Sequence, residues 1–318
     1  MNGDARWSGP ERGRLSGRPG PRVQGSGPGC VGGSGIVPAA QATTTVPSSG
    51  PTVQGHSLMP LLSGEAHLRR AARACMRRHS ARGADGMSWA DYRKNLPARI
   101  TALSAALSDG TWRPGPLRHI EITTYAGKVF PAVIPTVEDR IVQRAMRGAT
   151  EPVLEASAFR DWVSGYRPGR SRITAVRAAA AYLGAGLPWI ADVDVEQAAA
   201  GSDVEQAIGW LADYVKDGSF LSRFRIALQG LPTPLTPGTG FQPMLLNLRL
   251  SRADTYLSDL AVVRFADNYC AFADSEAGAR EAFDAITVAL AADGMRPHPV
   301  KSRVRAATNA EDLFLIAG

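Results

Sequence analysis

The stretch "RFADNYCAF", residues 264–272, reads as strand, tight polar turn, strand. A turn chosen for geometry alone favours Asn-Gly or Asp-Gly at its tip, because those pairs tolerate positive φ. Here the tip carries Asp267-Asn268. An acid and an amide at the point of an apolar hairpin imply a second role for the pair.

Working outward, "LPWIADVDV" (187–195) is a buried strand that ends in acids. "RHIEITTYAGKVFPAVIP" (118–135) alternates, turns near Gly127, and alternates again, so it is a second hairpin. Helices are expected between these strands. Ser88 with Asp91, and Thr136 with Asp139, have capping-box spacing, and Gly110 supplies a stop. Ser202 or Asp203 caps a helix expected to run through Lys216, and Met244, Leu245, Leu248 and Leu250 mark the apolar face of another. A helix is expected from Ser275 to Ala292, followed by short C-terminal strands. The mixed order predicts an α+β fold. Residues 1–58 are rich in Gly, Pro, Ser and Arg with almost no aliphatic runs, so a disordered tail is expected before a folded region at 59–318.

The 318 residues carry a net charge of +7, with a pI near 9.7, which favours an anionic partner and nucleic acid first. Arginine dominates, since only Lys94, Lys128, Lys216 and Lys301 are lysines. Cys30, Cys75 and Cys270 have neither metal-like spacing nor an even count, which fits a reducing cytoplasm. No run approaches a membrane span, and no apolar signal core opens the chain, so no membrane partner is expected.

Carboxylates are the candidates for chemistry. Asp192 and Asp194 share one face at strand period two. A strand end beside a hairpin tip can bring Asp194 and Asp267 together. Two facing carboxylates suit a pair of Mg²⁺ ions roughly 3.5–4 Å apart, the arrangement that drives in-line nucleotidyl transfer. The five histidines are scattered, and no G-x-S-x-G, Walker or dinucleotide glycine loop is present.

From about Ala84 onward the order of segments resembles the reverse transcriptases of bacterial group II introns and their retron-like relatives. "AGKVFPAVIPTVEDRIVQRAM" is similar to that family's hairpin and I-P-T-x-x-D-R-I-V-Q-R-A helix. "GYRPGRS" is close to its G-F-R-P-G-R-S, and "RFADNYCAF" stands where its R-Y-A-D-D box belongs. The resemblance implies right-hand polymerase fingers (about 84–185) and palm (about 186–318), with an antiparallel palm sheet packed on helices. It implies RNA-directed DNA polymerase activity with two Mg²⁺ ions, an RNA template, a DNA primer and dNTPs. Carried over by position, Asp194, Val195 and Asp267 would hold metal, and Asn268 takes the place of the second acid of the box. Lys301 would lie near the incoming nucleotide or primer end. Arg167 and Arg170 would bind template, and Lys128 would approach the triphosphate. Ala199 occupies the position of the sugar wall, and Gly238 closes the segment matching P-Q-G.

The departures point one way. Asn268 lacks the charge of the second acid, and Mg²⁺ prefers anionic oxygen. Ala198 and Ala199 replace an aromatic pair, Phe130 replaces an arginine, and Thr236-Pro237-Gly238 lacks the glutamine unless Gln242 reflects a local shift. Thumb, maturase and endonuclease regions are expected to be missing after "DLFLIAG". Weak or lost polymerase activity is therefore expected. The alternatives are a catalytically silent RNA-binding descendant, acting as a maturase-like scaffold on RNA such as intron RNA, and a mobile-element relic.

Overall fold

The computed structural model describes residues 55–78, 80–123, 127 and 129–314. The tail reading for 1–58 falls outside the described residues as far as residue 54, and so does Lys128.

Two short helices open the described chain, α1 (Leu58–Ser63) and α2 (Glu65–Met76). The Ser88 cap holds: its Oγ accepts the Asp91 N–H at 3.1 Å. The helical run that follows is broken into α3 (Trp89–Lys94) and α4 (Leu96–Asp109). Pro97 explains the break, because it has no N–H to give to a preceding turn and clashes with its carbonyl. Gly110, at φ 77°, ends α4 in the left-handed conformation that glycine permits. The first hairpin is β1 (Arg118–Thr123) with β2 (Val129–Ile134), antiparallel. Thr136 then caps α5 (Val137–Ser157), its Oγ1 accepting the Asp139 N–H at 3.0 Å.

After a loop come α6 (Arg172–Gly184), β3 (Trp189–Asp194) and α7 (Val204–Ala212). Asp203, rather than Ser202, is the cap of α7, with Gln206 completing a capping box. The helix stops short of Lys216 because the 214–216 backbone is used elsewhere. Gly55 N–H donates to the Tyr214 carbonyl at 2.9 Å, and Lys216 N–H to the Gly55 carbonyl at 2.8 Å. Next is α8 (Gly218–Gln229), a helix not anticipated above. Its signal was present: Phe220, Phe224, Ala227 and Leu228 recur at helical spacing and are all buried. The chain continues with α9 (Gln242–Asp254), β4 (Ala261–Phe265), β5 (Asn268–Ala273), α10 (Glu276–Ala291) and β6 (Arg303–Ala306).

The four later strands form one antiparallel sheet in the order β4-β5-β3-β6. Both faces are covered, and strand alternation sorts the side chains between them. Ile190, Val263, Cys270 and Phe272 pack with Ala175 and Ala179 of α6. Ala191, Val193, Val262, Tyr269 and Ala271 belong to the larger core, with Ile286 and Leu290 of α10. Each fully buried large apolar side chain contributes about 1.5–3 kcal/mol. The chain is thus a mixed α+β protein with antiparallel sheets and packed helices, as the sequence predicts. Among the described residues, no helix is long and apolar enough to cross a membrane.

Candidate functional site

Asp194 is the last residue of β3, and its partner in the ladder is Asn268, the first of β5. One step further, Val195 N–H donates to the Asp267 carbonyl at 3.1 Å. The end of β3 and the β4–β5 turn are therefore laced together, and Asp194, Val195, Asp267 and Asn268 meet at one sheet end. Asp192, although on the same face as Asp194, is committed elsewhere: its Oδ2 takes two hydrogen bonds from Arg305, at 3.0 and 2.9 Å.

The segment after α10 fastens Asp194 from the other side. Its carbonyl accepts from His298 N–H at 2.7 Å and from Ser302 Oγ at 3.1 Å, and its own N–H donates to Ser302 Oγ at 3.1 Å. This brings Lys301 Nζ to 3.5 Å from Asp194 Oδ1. Lys301 thus sits beside Asp194.

The turn is closed by Ala266 and Asp267, between the paired Phe265 and Asn268. Ala266 lies at φ 56°, a left-handed conformation that costs an alanine roughly 1–2 kcal/mol. Strain of this kind persists only where the surroundings enforce it. Here the enforcement is visible. Arg264 is fully buried, and its Nη1 donates to the Ala266 carbonyl and to Asn247 Oδ1, both at 2.8 Å. Its Nε and Nη2 grip Asp254, the closest contact being 2.6 Å, and Tyr269 OH donates to Asp254 Oδ1 at 2.8 Å. Burial opposes the Arg264 charge, but Asp254 and its other partners more than offset this, so its pKa is raised. Asn247 Nδ2 in turn donates to the Gly165 carbonyl at 2.7 Å. Gly165 lies against the turn, and a Cβ there would fall 2.1 Å from the Ala266 nitrogen. Tyr166 is also left-handed, at φ 60°, and its hydroxyl pKa is raised by burial and then by the Asp267 charge.

Burial raises the Asp267 pKa, and the nearby Asp194 charge raises it further, while Lys301 and Arg264 work against the rise. Asn268 adds no charge, and its Nδ2 donates to Asp267 Oδ1 at 3.4 Å. Among the described residues no group of three or more His, Cys, Asp or Glu gathers to hold a metal. Two carboxylates are nevertheless a sufficient protein contribution for Mg²⁺, which commonly takes one or two and completes its shell with water and substrate phosphate. The donor set fits such an ion, and the mutual repulsion of the two acids favours one.

The other candidates are placed differently. Arg167 is buried, and each guanidinium nitrogen has a partner inside the chain. Nε and Nη2 hold the Glu155 carboxylate, and Nη1 donates to the Arg160 and Val163 carbonyls. Arg170 binds the carbonyl and carboxylate of Asp161 and is more accessible. Gly238, at φ 93°, fits tightly on β2: a Cβ would lie 2.1 Å from the Val133 carbonyl oxygen. Gln242 opens α9, and Gln143 of α5 supplies the amide that reaches this loop, its Oε1 accepting the Gly240 N–H at 2.8 Å. Ala198 is buried and Ala199 half-buried, and Arg249 holds the carbonyls of Ala198 and Ala200 at 2.8 and 2.6 Å.

Arg264, Asp254, Asn247, Gly165 and Ser302 were not singled out by sequence. Arg264 carried one signal, a charge inside the apolar run 261–265, but nothing in the sequence pairs it with Asp254.

Fold and site together define a mixed α+β protein with two acids brought side by side by a strand end and a strained hairpin. Comparison with known proteins gives this class a relationship. The chain is 28% identical to Protein YkfC of Escherichia coli (strain K12) over 229 residues, 66% of this chain and 59% of that protein. It is 27% identical to the group II intron-encoded protein LtrA of Lactococcus lactis subsp. cremoris over 175 residues, 51% of this chain and 28% of LtrA. The putative COX1/OXI3 intron 2 protein of Saccharomyces cerevisiae is 23% identical over 175 residues, 50% of this chain and 20% of that protein. The match thus spans under two thirds of each of these relatives. No family model matches the chain. The similarities support a reverse-transcriptase-like relative, in agreement with the motifs.

Proposed function

We propose that the chain is a reverse-transcriptase-like protein whose inherited reaction is nucleotidyl transfer on an RNA template, performed weakly or not at all. The observation that carries this reading is the meeting of Asp194 and Asp267 on a rigid buried support. Mg²⁺ at this site would polarise a phosphoryl oxygen and lower the pKa of a primer hydroxyl. Asp194 and Asp267 would hold the ion, with Val195 joining through its backbone. Lys301, 3.5 Å from Asp194, would meet phosphate charge there, and the close fit of Gly165 against Ala266 would keep the turn from shifting. RNA template, DNA primer and dNTP are the partners of this reading.

The weakness follows from residues. Asn268 brings no third negative charge, Ala198 and Ala199 build no aromatic wall, and Arg167 is turned inward. A second reading, a silent RNA-binding protein, is favoured by a specific pattern. The Lys301–Asp194 ion pair and the Asn268–Asp267 hydrogen bond meet both acids from within the chain.

Primer extension on an RNA template with Mg²⁺ separates the two. The first reading expects Asn268→Asp to extend more than wild type and Asp267→Ala to extend nothing. No gain of Asn268→Asp over Asp267→Ala selects the silent binder.

A further inference from the structure

The loop between α5 and α6 runs beside the end of β4. Arg264 N–H donates to the Trp162 carbonyl at 3.1 Å, and Ser164 N–H donates to the Arg264 carbonyl at 2.8 Å. Val163 and Arg264 thus form a parallel bridge. Two residues further along each segment, Gly165 lies against Ala266. The next residues in that order are Tyr166 and Asp267. The backbone therefore sets a tyrosine next to the turn that carries the second acid.

Tyr166 is strained, yet its side chain is not taken up by the core. Its φ of 60° is uncommon for a bulky residue, and strain of this kind clusters at ligand sites. The conformation is held at both flanks. Asn247 Nδ2 donates to the Gly165 carbonyl at 2.7 Å, and Arg147 Nη2 to the Tyr166 carbonyl at 3.2 Å. The residue is nevertheless 47% exposed, and its hydroxyl has no hydrogen-bond partner among the described residues. Burial and the Asp267 charge keep that hydroxyl protonated, so it can donate as well as accept. The hydroxyl is this chain's own, because the motif that "GYRPGRS" resembles has Phe at this place.

We propose that the Tyr166 hydroxyl hydrogen-bonds a ribose 2′-hydroxyl at the Asp194–Asp267 site, so that this site takes a ribonucleotide. The proposal rests on the reading given under Proposed function and names a sugar class for it. A phosphate oxygen is a poorer partner, since it only accepts and carries a charge that Asp267 repels. Lys301, beside Asp194, suits phosphate better. A base needs only the face of the ring, for which the hydroxyl is idle. A 2′-hydroxyl both donates and accepts, as the phenol does, and it is the group by which a protein tells RNA from DNA at a given site. Ala198 and Ala199 bring only methyl groups where the resembled family has aromatic rings, so no bulk from them opposes the extra oxygen. Two sugars meet at a nucleotidyl-transfer site, that of the primer end and that of the incoming nucleotide, and the experiment separates them.

The test uses the full chain, MgCl₂ and an RNA template annealed to labelled primers, and it reads binding rather than extension. In the first arm the primers differ only in ribose or deoxyribose at the 3′ end. In the second the primer ends in a dideoxynucleotide, and the complex is titrated with ATP or dATP opposite a template uridine. Wild type should prefer ribose by about 2- to 10-fold in at least one arm, the range of one net hydrogen bond. The arm that shows it identifies the sugar. Tyr166→Phe, which removes the oxygen alone, should bring that ratio to about 1. Equal binding of ribose and deoxyribose by wild type in both arms overturns the proposal, whether or not the variant folds, and leaves the earlier reading standing. A preference that survives in Tyr166→Phe also overturns it and assigns the discrimination to another group. A wild type that binds no template–primer hybrid overturns this proposal and the earlier reading together.

Discussion

Asp194 faces Asn268 across the β3–β5 ladder, while the Asn268 amide reaches back to Asp267 Oδ1 at 3.4 Å. The position that could add a third carboxylate instead donates a hydrogen bond to the second. Asn268→Asp exchanges that donor for a like charge. Without divalent ions its melting temperature should fall by about 2–4 °C, the equivalent of about 1 kcal/mol for a domain of this size. Added Mg²⁺ should raise it more than it raises wild type. Thermal melts with EDTA and with MgCl₂ check this, and equal Mg²⁺ gains in both proteins would count against a cation site.

Asp267 has a pKa raised by burial and then by Asp194. The folded state therefore holds the proton more tightly than the unfolded chain. Its contribution to stability is full below the unfolded pKa, about 3.9, and is lost as pH rises through the folded value. Asp267→Asn should accordingly melt above wild type at pH 7, by about 2–4 °C. The two curves should converge toward pH 4. A gap that widens on acidification would reverse the sign of this argument.

The Arg264–Asp254 pair is buried on both sides and carries the turn through the Ala266 carbonyl. Removing one member strands a charge, so Asp254→Ala should cost about 3–5 kcal/mol in urea unfolding. Arg264→Met with Asp254→Leu should cost less than the sum of the singles, because neither charge is then left alone. Additive losses would mean the pair is not coupled as its geometry states.

Gly165 and Gly169 lie four residues apart in one loop and face different constraints. A Cβ at Gly165 meets backbone 2.1 Å away, whereas at Gly169 it meets open space but a φ of +70°. Gly169→Ala should cost about 1–2 kcal/mol, the left-handed penalty. Gly165→Ala should cost more and should also displace Ala266, which an altered amide exchange rate at 266–268 would report.

Arg167 gives a discriminating outcome for the template-binding role expected from the motif. With its nitrogens held by Glu155 and two carbonyls, Arg167→Gln should lower stability by about 1–3 kcal/mol, since two interior carbonyls lose their donor and the half-buried Glu155 carboxylate loses its partner. The salt slope of RNA binding should stay the same. A lowered slope with unchanged stability would restore the template role.

Much of the architecture was written in local order. Ser88 and Thr136 announced their helices because a hydroxyl three residues before an acid can satisfy a backbone N–H with no help from the rest of the chain. The alternating runs around 118–134 and 261–273 announced their hairpins for the same reason. Asp194 and Asp267 were legible as candidates by type and placement. What the sequence could not state is what each charge would meet. Arg167 and Arg264 look alike as letters beside acids and aromatics, and both prove to be interior. The difference between an arginine offered to RNA and one spent on the fold depends on partners far along the chain: Glu155 is 12 residues from Arg167, while Lys301 reaches Asp194 from 107 residues away. Composition and periodicity determined the elements and the overall charge. Only the tertiary structure, by bringing distant polar groups within hydrogen-bonding reach, decided which charges remain free to act.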